Sequence, residues 1–426
     1  MNKFNNNLRD LCKLARYYIL YSVNEANSGH TTSALSAVEL MVTLYFSTLR
    51  QDLDNLEMCN NDHVIFSKGH ATPLIYALYA IAGKLTIKDL AGFRSIDSPL
   101  EGHPTYRFKY TDVPTGSLGQ GLSIGLGHAF NAKYFDRLPY KTYVLMGDGE
   151  MAEGQVWEAF SFATHYSIDN IIVIVDVNRL GQTQETQYGW NTQLYEDRLE
   201  AFGWATRSID GHNINEILNA YEWAQNTGKP SIIFAKTIKG KGFSFWENQN
   251  GWHSQPVPED RFKEAVSELG EVDFSAKGYV KKPKILEPKK VLAAGDETTV
   301  NYKLDDVIAT KRAFGETMLR LAPKYPNVIL LDGDVKNSTH AEYFANNYPK
   351  RFVECYIAEQ NMVSFAQGLS LHDKKPFVVT FAAFLTRAFD QFRMASLGGS
   401  NIKVVGSYVG ASIGKDGPSN MGMEDI

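Results

Sequence analysis

One stretch, residues 143–182, limits the fold more than any other part of the chain. It reads YVLMGDGEMAEGQVWEAFSFATHYSIDNIIVIVDVNRLGQ. A short apolar run is followed by a Gly-Asp-Gly turn, a segment with apolar residues at helical spacing, and a second run that is mostly β-branched. Such a β-branched run is typical of a buried parallel strand. The stretch therefore predicts a strand–helix–strand unit within a parallel sheet.

Two oxygen-bearing side chains, Asp148 and Asn178, follow these two strands. In a right-handed strand–helix–strand unit both strands end at the same edge of the sheet, so the two side chains can converge there. A carboxylate and an amide oxygen, together with a backbone carbonyl, suit Mg²⁺ or Ca²⁺, and Mg²⁺ suits a diphosphate. A Gly-Asp-Gly taken alone is more often only a turn, but the strands and helix around it favour a binding site.

The composition of the chain limits the classes of protein to which it can belong. The 426 residues are enough for two or three domains, and 44% hydrophobic with 21% charged residues is ordinary for a globular chain. The net charge of −5 argues against a nucleic-acid surface. The three cysteines lack metal-ligand spacing and fit a reducing compartment. With no signal-peptide or transmembrane pattern, we expect a cytoplasmic enzyme that does not bind a membrane.

Strands and helices alternate up to about residue 265, which favours a mostly parallel sheet covered on both faces. Glycine-rich loops at residues 115–121 and 239–242 are suited to binding an anion, the first because it opens a helix. The string GQGLSIG does not fit a dinucleotide fingerprint, since its third glycine is one position late and no clear strand precedes it. A Lys-, Pro- and Gly-rich segment then separates this region from a second α/β pattern.

Eight strings together resemble the transketolase family, and they stand in the family's order. They are GSLGQGL, GDGE, NRLGQ, AKTIKGKG, LDGDVKNST, ECYIAEQNM, TFAAFLTRAFDQ and GASIGKDGPS. The resemblance is to animal-type members. It implies an α/β thiamine-diphosphate-binding fold of two doubly wound, mostly parallel domains. These are a diphosphate-binding domain (1–265) and, after a linker (266–305), a pyrimidine-binding domain (306–426). Family members continue further, so we expect the second domain to be incomplete and the chain to be a fragment or one part of an assembly.

The resemblance also implies the cofactor, thiamine diphosphate, held at the interface of a homodimer. Mg²⁺, with Ca²⁺ or Mn²⁺ as substitutes, would be bound by Asp148, Asn178 and the Leu180 carbonyl. Glu359 would bond to a pyrimidine nitrogen and favour the cofactor's imino form, and Phe384 would pack on that ring. Other cofactor contacts implied by the resemblance are Ser33, His70, Gly116, Ser117, Leu118, Gly149, Asn178, Gln182 and Lys239.

The substrate residues implied by the resemblance are mostly polar. Glu359, His30, His103 and His253 would be catalytic, and neutral imidazoles can both donate and accept protons. His30, His253, Lys311, Ser338, Tyr408 and Asp416 would contact the sugar phosphates. Three positions depart from the family pattern: Lys311 replaces an arginine, Tyr408 a histidine and Asn420 a glutamine. The other six histidines are expected to be ordinary core or surface residues.

The activity implied is that of a transketolase in the pentose phosphate pathway. A two-carbon ketol unit would pass from a ketose phosphate, such as xylulose 5-phosphate, to an aldose phosphate, such as ribose 5-phosphate. Two alternatives stay open. One is another thiamine-dependent ketol transferase, such as dihydroxyacetone synthase. The other is a truncated, non-catalytic relative that acts as a dimer partner.

Overall fold

A computed structural model describes residues 2–293, 295, 296, 299 and 302–423. The chain divides into two units. The first contains residues 1–125 and 138–287, and the second contains residues 126–137 and 288–426. The finer division into 1–265, 266–305 and 306–426 stays a prediction.

The first unit contains a five-stranded, fully parallel sheet of order β1-β2-β3-β5-β4. Its strands are β1 (His63–Phe66), β2 (Thr142–Gly147), β3 (Ile171–Val177), β4 (Ala205–Asp210) and β5 (Ser231–Lys236). Its helices are α1 (Asn2–Ala26), α2 (Thr31–Ser36), α3 (Val38–Thr43), α4 (Thr72–Ile81), α5 (Ile87–Ala91), α6 (Gly121–Phe130), α7 (Gly154–His165), α8 (Thr192–Ala201), α9 (Ile214–Gln225) and α10 (Phe262–Leu269), of which α6 runs on into the second unit.

The strand–helix–strand unit predicted for residues 143–182 is confirmed as β2, α7 and β3. Every residue of β3 is buried, as its β-branched composition requires. Gly147 at the end of β2 pairs with Asp176 in β3, so the two strands finish at the same edge of the sheet.

The first helix is amphipathic, as the spacing predicts, and buries Leu11, Leu14 and Ile19 in the core. The largely apolar residues 32–49 predict a single helix, and that prediction is wrong. The helix breaks at Ala37, whose backbone (φ −97°, ψ 9°) leaves the helical region, and α3 then continues into a π-helical turn at Leu44–Thr48.

The second unit contains a four-stranded parallel sheet of order β7-β6-β8-β9. Its strands are β6 (Val328–Asp332), β7 (Phe352–Glu354), β8 (Lys375–Phe381) and β9 (Lys403–Ser407). Its further helices are α11 (Thr310–Leu321), α12 (Lys336–Thr339), α13 (Glu342–Asn347), α14 (Glu359–Ser370), α15 (Ala382–Leu385) and α16 (Phe389–Leu397). The predicted fold class, α/β with mostly parallel sheets, is confirmed in both units.

The core of the second unit lies between its sheet and the helices after Ala309. Met318, Leu330, Phe344 and Val379 are almost fully buried there. Between α10 and α11 the described residues form no helix or strand, apart from an isolated bridge between Lys281 and Arg50. Short 3₁₀ or π turns complete the secondary structure at Gly69–Ala71, Asn131–Asp136, Gly149–Ala152, Glu259–Arg261, Pro349–Arg351, Thr386–Ala388, Ala411–Asp416 and Pro418–Asn420.

A helix that crosses a bilayer needs about 20 mostly apolar residues. No helix among the described residues is both long enough and apolar enough to meet that requirement.

The close packing of α6 on the first sheet gives a stability prediction. A Cβ added at Gly125 would lie 2.7 Å from Val144 Cγ2, whereas one added at Gly154 would meet no atom within 4 Å. We therefore expect Gly125→Ala to lower the free energy of unfolding by about 1–3 kcal/mol through overpacking. Gly154→Ala should be neutral or stabilise by up to about 1 kcal/mol.

Chemical denaturation of both variants and the unchanged chain measures this difference. Equal midpoints for the two variants would contradict the packing of α6 against β2.

Candidate functional site

Asp148 and Asn178 meet at the carboxyl edge of the first sheet, as the topology predicts. Asp148 Oδ2 accepts a hydrogen bond from the Arg179 N–H at 3.0 Å, directly after Asn178. The Thr186 hydroxyl donates to the same oxygen at 2.7 Å. Arg179 has a left-handed backbone (φ +60°), which turns its N–H toward Asp148.

Asp148 has the electrostatics of a cation ligand. It is buried, and no Lys or Arg in the described chain forms an ion pair with it. Burial, with a smaller contribution from the negative charge of Asp176, raises the pKa of Asp148 to about 6. A divalent ion at this carboxylate would stabilise its charged form.

The amide of Asn178 is fixed in one orientation by its neighbours. Its Nδ2 lies 3.2 Å from Asp176 Oδ2, and its Oδ1 accepts a hydrogen bond from the Leu180 N–H at 3.2 Å. A carboxylate only accepts hydrogen bonds, so it selects the nitrogen end of the amide. The oxygen end of Asn178 therefore faces away from Asp176 and can serve as a ligand.

Asp176 is fully buried and is surrounded by donors. Lys68 Nζ and Ser36 Oγ each donate to Oδ2 at 2.5 Å, and Thr237 Oγ1 donates to Oδ1. Burial alone would raise the pKa of Asp176. The Lys68 ammonium and the hydroxyl donors outweigh that effect and hold the pKa below its ordinary value. Asp176 thus joins β3 to residues from three other parts of the first unit.

The Leu180 carbonyl, expected as the third oxygen ligand, lies beside Lys239. The buried Lys239 Nζ donates to the carbonyl oxygens of Leu180 at 2.7 Å and Gly181 at 2.9 Å, and it lies 2.8 Å from His253 Nδ1. A carbonyl oxygen has two lone pairs, so this contact leaves one for a cation. Burial, and then the nearby charge of Lys68, lowers the pKa of Lys239 to about 7.

The glycines around Asp148 leave room for a bound group. A Cβ at Gly147 would meet nothing within 4 Å, and one at Gly149 would meet only Thr186 Cγ2, at 3.5 Å. Gly116 is different, because its φ of +139° and a clash with His103 Cδ2 at 2.9 Å exclude a side chain. Open backbone beside two buried lysines suits a diphosphate.

Glu150 connects the glycine-rich loop at residues 115–121 to the Gly-Asp-Gly turn. Its buried carboxylate accepts from the Gly119 N–H at 2.7 Å, from the Gly147 N–H at 3.1 Å and from the Ser67 hydroxyl. Burial raises the pKa of Glu150. The loop that carries Gly116, Ser117 and Leu118 is thereby held next to the Gly-Asp-Gly turn.

Four histidines expected at the site form one cluster. The ring centroid of His30 lies 5.3 Å from that of His70, 5.7 Å from His103 and 5.2 Å from His253. Burial, followed by the neighbouring charges of His103 and Arg94, lowers the pKa of His30 to about 4. Burial and Lys239 lower that of His253 to about 3. These imidazoles are therefore neutral at physiological pH and can both donate and accept.

Two other expected cofactor residues, Ser33 and Gln182, also lie in the first unit. Ser33 is buried, and its carbonyl accepts from Lys68 Nζ at 3.1 Å. Gln182 is exposed in the loop after Gly181.

The remaining expected residues lie in the second unit. Phe384 stacks on Phe381 with ring centroids 5.2 Å apart, and the Phe381 ring lies 4.5 Å from that of Tyr408. Lys311 Nζ donates to the Tyr408 hydroxyl at 2.6 Å. Lys311 and Tyr408, which both depart from the family pattern, therefore contact each other. They lie at one end of the aromatic group formed by Phe384, Phe381 and Tyr408.

Glu359, Ser338 and Asp416 lie on other elements of the second unit. Glu359 is the first residue of α14 and is buried, Ser338 is in α12, and Asp416 ends the turn Ala411–Asp416. Among the described residues, no hydrogen bond joins these three to the Lys311–Tyr408 pair.

Local patterns do not reveal the roles of several residues that shape the site. Lys68 and Thr186 are common polar residue types in loops, and the roles of Glu150 and Thr237 were not expected, although these residues stand within the strings GDGE and AKTIKGKG. Asp176 did carry a signal, because a carboxylate is unusual within a run of β-branched strand residues.

Two family models match the chain. The model of the transketolase thiamine diphosphate binding domain matches residues 8–318, and that of the transketolase pyrimidine binding domain matches residues 306–426. Similar relatives include Transketolase-like protein 2 of Mus musculus, 44% identical over 424 residues, and Transketolase of Homo sapiens, 43% identical over 422 residues. These alignments cover 98% of this chain and 68% and 67% of the two relatives.

A solved structure shares the fold. Transketolase from Campylobacter jejuni superposes with a TM-score of 0.86 at 26% sequence identity, covering 97% of this chain and 71% of that one. Both the family models and the relatives extend over almost the whole of this chain. The chain therefore belongs to the transketolase family.

Proposed function

We propose that this chain binds thiamine diphosphate with Mg²⁺ and transfers a two-carbon ketol unit from a ketose phosphate to an aldose phosphate. The observation that carries the proposal is the set of oxygen donors from Asp148, Asn178 and Leu180 at the edge of the first sheet. Hard oxygen ligands of this kind suit Mg²⁺, and they also accept Ca²⁺ or Mn²⁺.

The proposed diphosphate site is supported by charge and space. Lys68 and Lys239 bring positive charge to the edge where Gly147 and Gly149 leave the backbone open. We assign the diphosphate-binding domain to residues 1–265 and the pyrimidine-binding domain to residues 306–426, with a linker between them.

The bound cofactor would supply the electron sink that carries the two-carbon unit. Glu359 would hold a proton at a pyrimidine nitrogen, and Phe384, stacked on Phe381, would pack against the ring. The neutral histidines His30, His103 and His253 would orient substrate hydroxyls and move protons between them. Lys311, Ser338, Tyr408 and Asp416 would contact the sugar and its phosphate.

We further propose a homodimer in which the first domain of one protomer and the second domain of the other share the cofactor. Large apolar side chains near the proposed pyrimidine residues support a covering partner, since Ile357 is 76% exposed and Phe389 is 74% exposed. The free thiols of Cys12, Cys59 and Cys355 support a reducing compartment such as the cytoplasm.

A second candidate function is a non-catalytic family member that binds cofactor or a partner chain. The Lys311–Tyr408 hydrogen bond favours it, because the ammonium expected to meet the phosphate is already bonded within the chain. One similar relative is named a transketolase-like protein.

The activity is tested by coupled assay with xylulose 5-phosphate and ribose 5-phosphate in the presence of thiamine diphosphate and Mg²⁺. We expect turnover by this chain and a loss of about 10²–10⁴-fold in Glu359→Gln, which cannot hold the same proton. Cofactor binding without turnover would support the non-catalytic candidate. Absence of both would contradict the proposed function.

Asp176 gives a sharper prediction about the metal. Asp176→Asn replaces an acceptor oxygen with an amide nitrogen, so it no longer selects the orientation of the Asn178 amide. We expect Mg²⁺ affinity, measured by isothermal titration with thiamine diphosphate present, to fall by about 10–100-fold.

Asp62→Asn is the matched control. Asp62 is also a buried carboxylate, but it precedes β1 at the opposite edge of the sheet and accepts from the Arg50 and Lys141 N–H groups. Its substitution should leave the Mg²⁺ affinity unchanged. Equal losses of affinity in the two variants would show that Asp176 has no special role at the metal.

The histidine cluster predicts a pH response. Because their pKa values lie at about 4 and about 3, His30 and His253 should stay neutral as the pH falls from 8 to 6. Both rings should therefore keep the ring-nitrogen shifts of a neutral imidazole over this range in ¹⁵N NMR titrations, with His30→Gln and His253→Gln used to assign the signals. The titration of Lys239 beside His253 would shift these signals without converting either ring to an imidazolium. Conversion of either ring to the imidazolium with a midpoint near 6.5 would contradict the burial of the cluster.

A further inference from the structure

A largely buried group of three charged or polar side chains in the first unit contacts none of the expected cofactor or substrate residues. Arg16 of α1 pairs with Glu39 of α3 at 2.7 Å, and His212, in the turn between β4 and α9, lies 3.0 Å from Glu39 through its Nδ1. We call Arg16, Glu39 and His212 the Glu39 triad. Its members come from three separate elements of the first unit.

Glu39 is ionised within this triad. Burial alone would raise the pKa of Glu39, but Arg16 and the hydrogen bond from His212 outweigh it and lower the pKa to about 2. A buried carboxylate with two fixed donors holds both of them in defined positions.

Arg16 and His212, the two partners of Glu39, each form a second hydrogen bond to the backbone of the loop at residues 237–242. His212 Nε2 accepts the Ile238 N–H at 2.9 Å, so Nδ1 carries the ring proton and donates to Glu39. Arg16 Nε donates to the Lys241 carbonyl at 3.0 Å. The triad thus holds the loop at Ile238, one residue before Lys239, and at Lys241, two residues after it.

The remaining contacts of the loop leave it little freedom. The Gly240 N–H donates to the Thr32 carbonyl at 3.1 Å, and the Asn248 N–H donates to the Lys239 carbonyl at 2.9 Å. Gly242 has φ +105°, and a Cβ there would lie 2.8 Å from Arg16 Nε. The guanidinium therefore lies directly against the loop backbone.

These contacts of the loop set the position of the Lys239 side chain. It is 2% exposed, and its ammonium reaches the carbonyl oxygens of Leu180 and Gly181. A lysine side chain is flexible, so the backbone position of the loop and these hydrogen bonds, rather than the stem, set where the ammonium lies.

We propose that Glu39 is a positioning residue, which acts through Arg16 and His212 to fix the loop at residues 237–242 and so to hold Lys239 at the candidate site. Glu39 touches no expected ligand, and its role is to keep the two ends of the loop at a set distance. The inference concerns the chain without ligands, so it can fail while the proposed function stands, and the reverse also holds.

The test measures the reactivity of Lys239 in the full chain without cofactor. An amine-acylating reagent is applied at a constant pH near 10.5, the ordinary pKa of a lysine, so that exposure of the amine rather than its protonation sets the rate. Labelling of each lysine is followed by peptide mass spectrometry. In Glu39→Gln, which loses the charge but keeps the size, we expect Lys239 to be labelled several-fold faster than in the unchanged chain. Arg16→Lys should give the same change, because one ammonium cannot serve both Glu39 and the Lys241 carbonyl.

The matched control is Asp62→Asn, which removes another buried charge of the first unit far from this loop in sequence. It should destabilise the chain and leave the labelling of Lys239 unchanged. The proposal is overturned if Lys239 is labelled in Glu39→Gln and Arg16→Lys at the same rate as in the unchanged chain, or no faster than in Asp62→Asn. If Glu39→Gln does not fold, Arg16→Lys decides the outcome in the same way.

Discussion

The carboxylate of Asp176 is the interaction on which the candidate site depends. It lies inside a fully buried strand and is compensated by the Lys68 ammonium and by the hydroxyls of Ser36 and Thr237. Removing one partner of such a buried pair typically costs about 3–5 kcal/mol, because the other charge is left uncompensated. Helix α2, which ends at Ser36, and the segments that carry Lys68 and Thr237 are therefore tied to the same point at the edge of the sheet.

The carboxylate of Asp176 also determines which atoms can act as ligands at this edge of the sheet. By selecting the nitrogen end of the Asn178 amide it turns an oxygen outward, beside the carboxylate of Asp148. Lys239 reaches the same edge from a loop held at both ends by Arg16 and His212. Oxygen donors, buried cations and neutral imidazoles are thus held rigidly before any ligand arrives, which limits the reorganisation that binding requires.

Sequence patterns were sufficient to predict the part of the candidate site that follows from the topology of the sheet. The β-branched run of β3 and the Gly-Asp-Gly turn predicted the two adjacent strands and the convergence of Asp148 with Asn178. They could not predict Lys68 or Glu150, because each meets its partner through a fold contact across many intervening residues. The Lys311–Tyr408 hydrogen bond was missed for the same reason, since its two partners are far apart in the sequence.

The most direct test of the account is a crystal structure of the chain grown with Mn²⁺ and thiamine diphosphate, with anomalous scattering used to locate the metal. We expect one strong peak at about 2.1–2.2 Å from a carboxylate oxygen of Asp148, from Asn178 Oδ1 and from the Leu180 carbonyl. Asn178 Nδ2 should remain against Asp176. A metal peak elsewhere in the first unit, or an Asn178 amide turned with its nitrogen toward the metal, would contradict the central role given to Asp176.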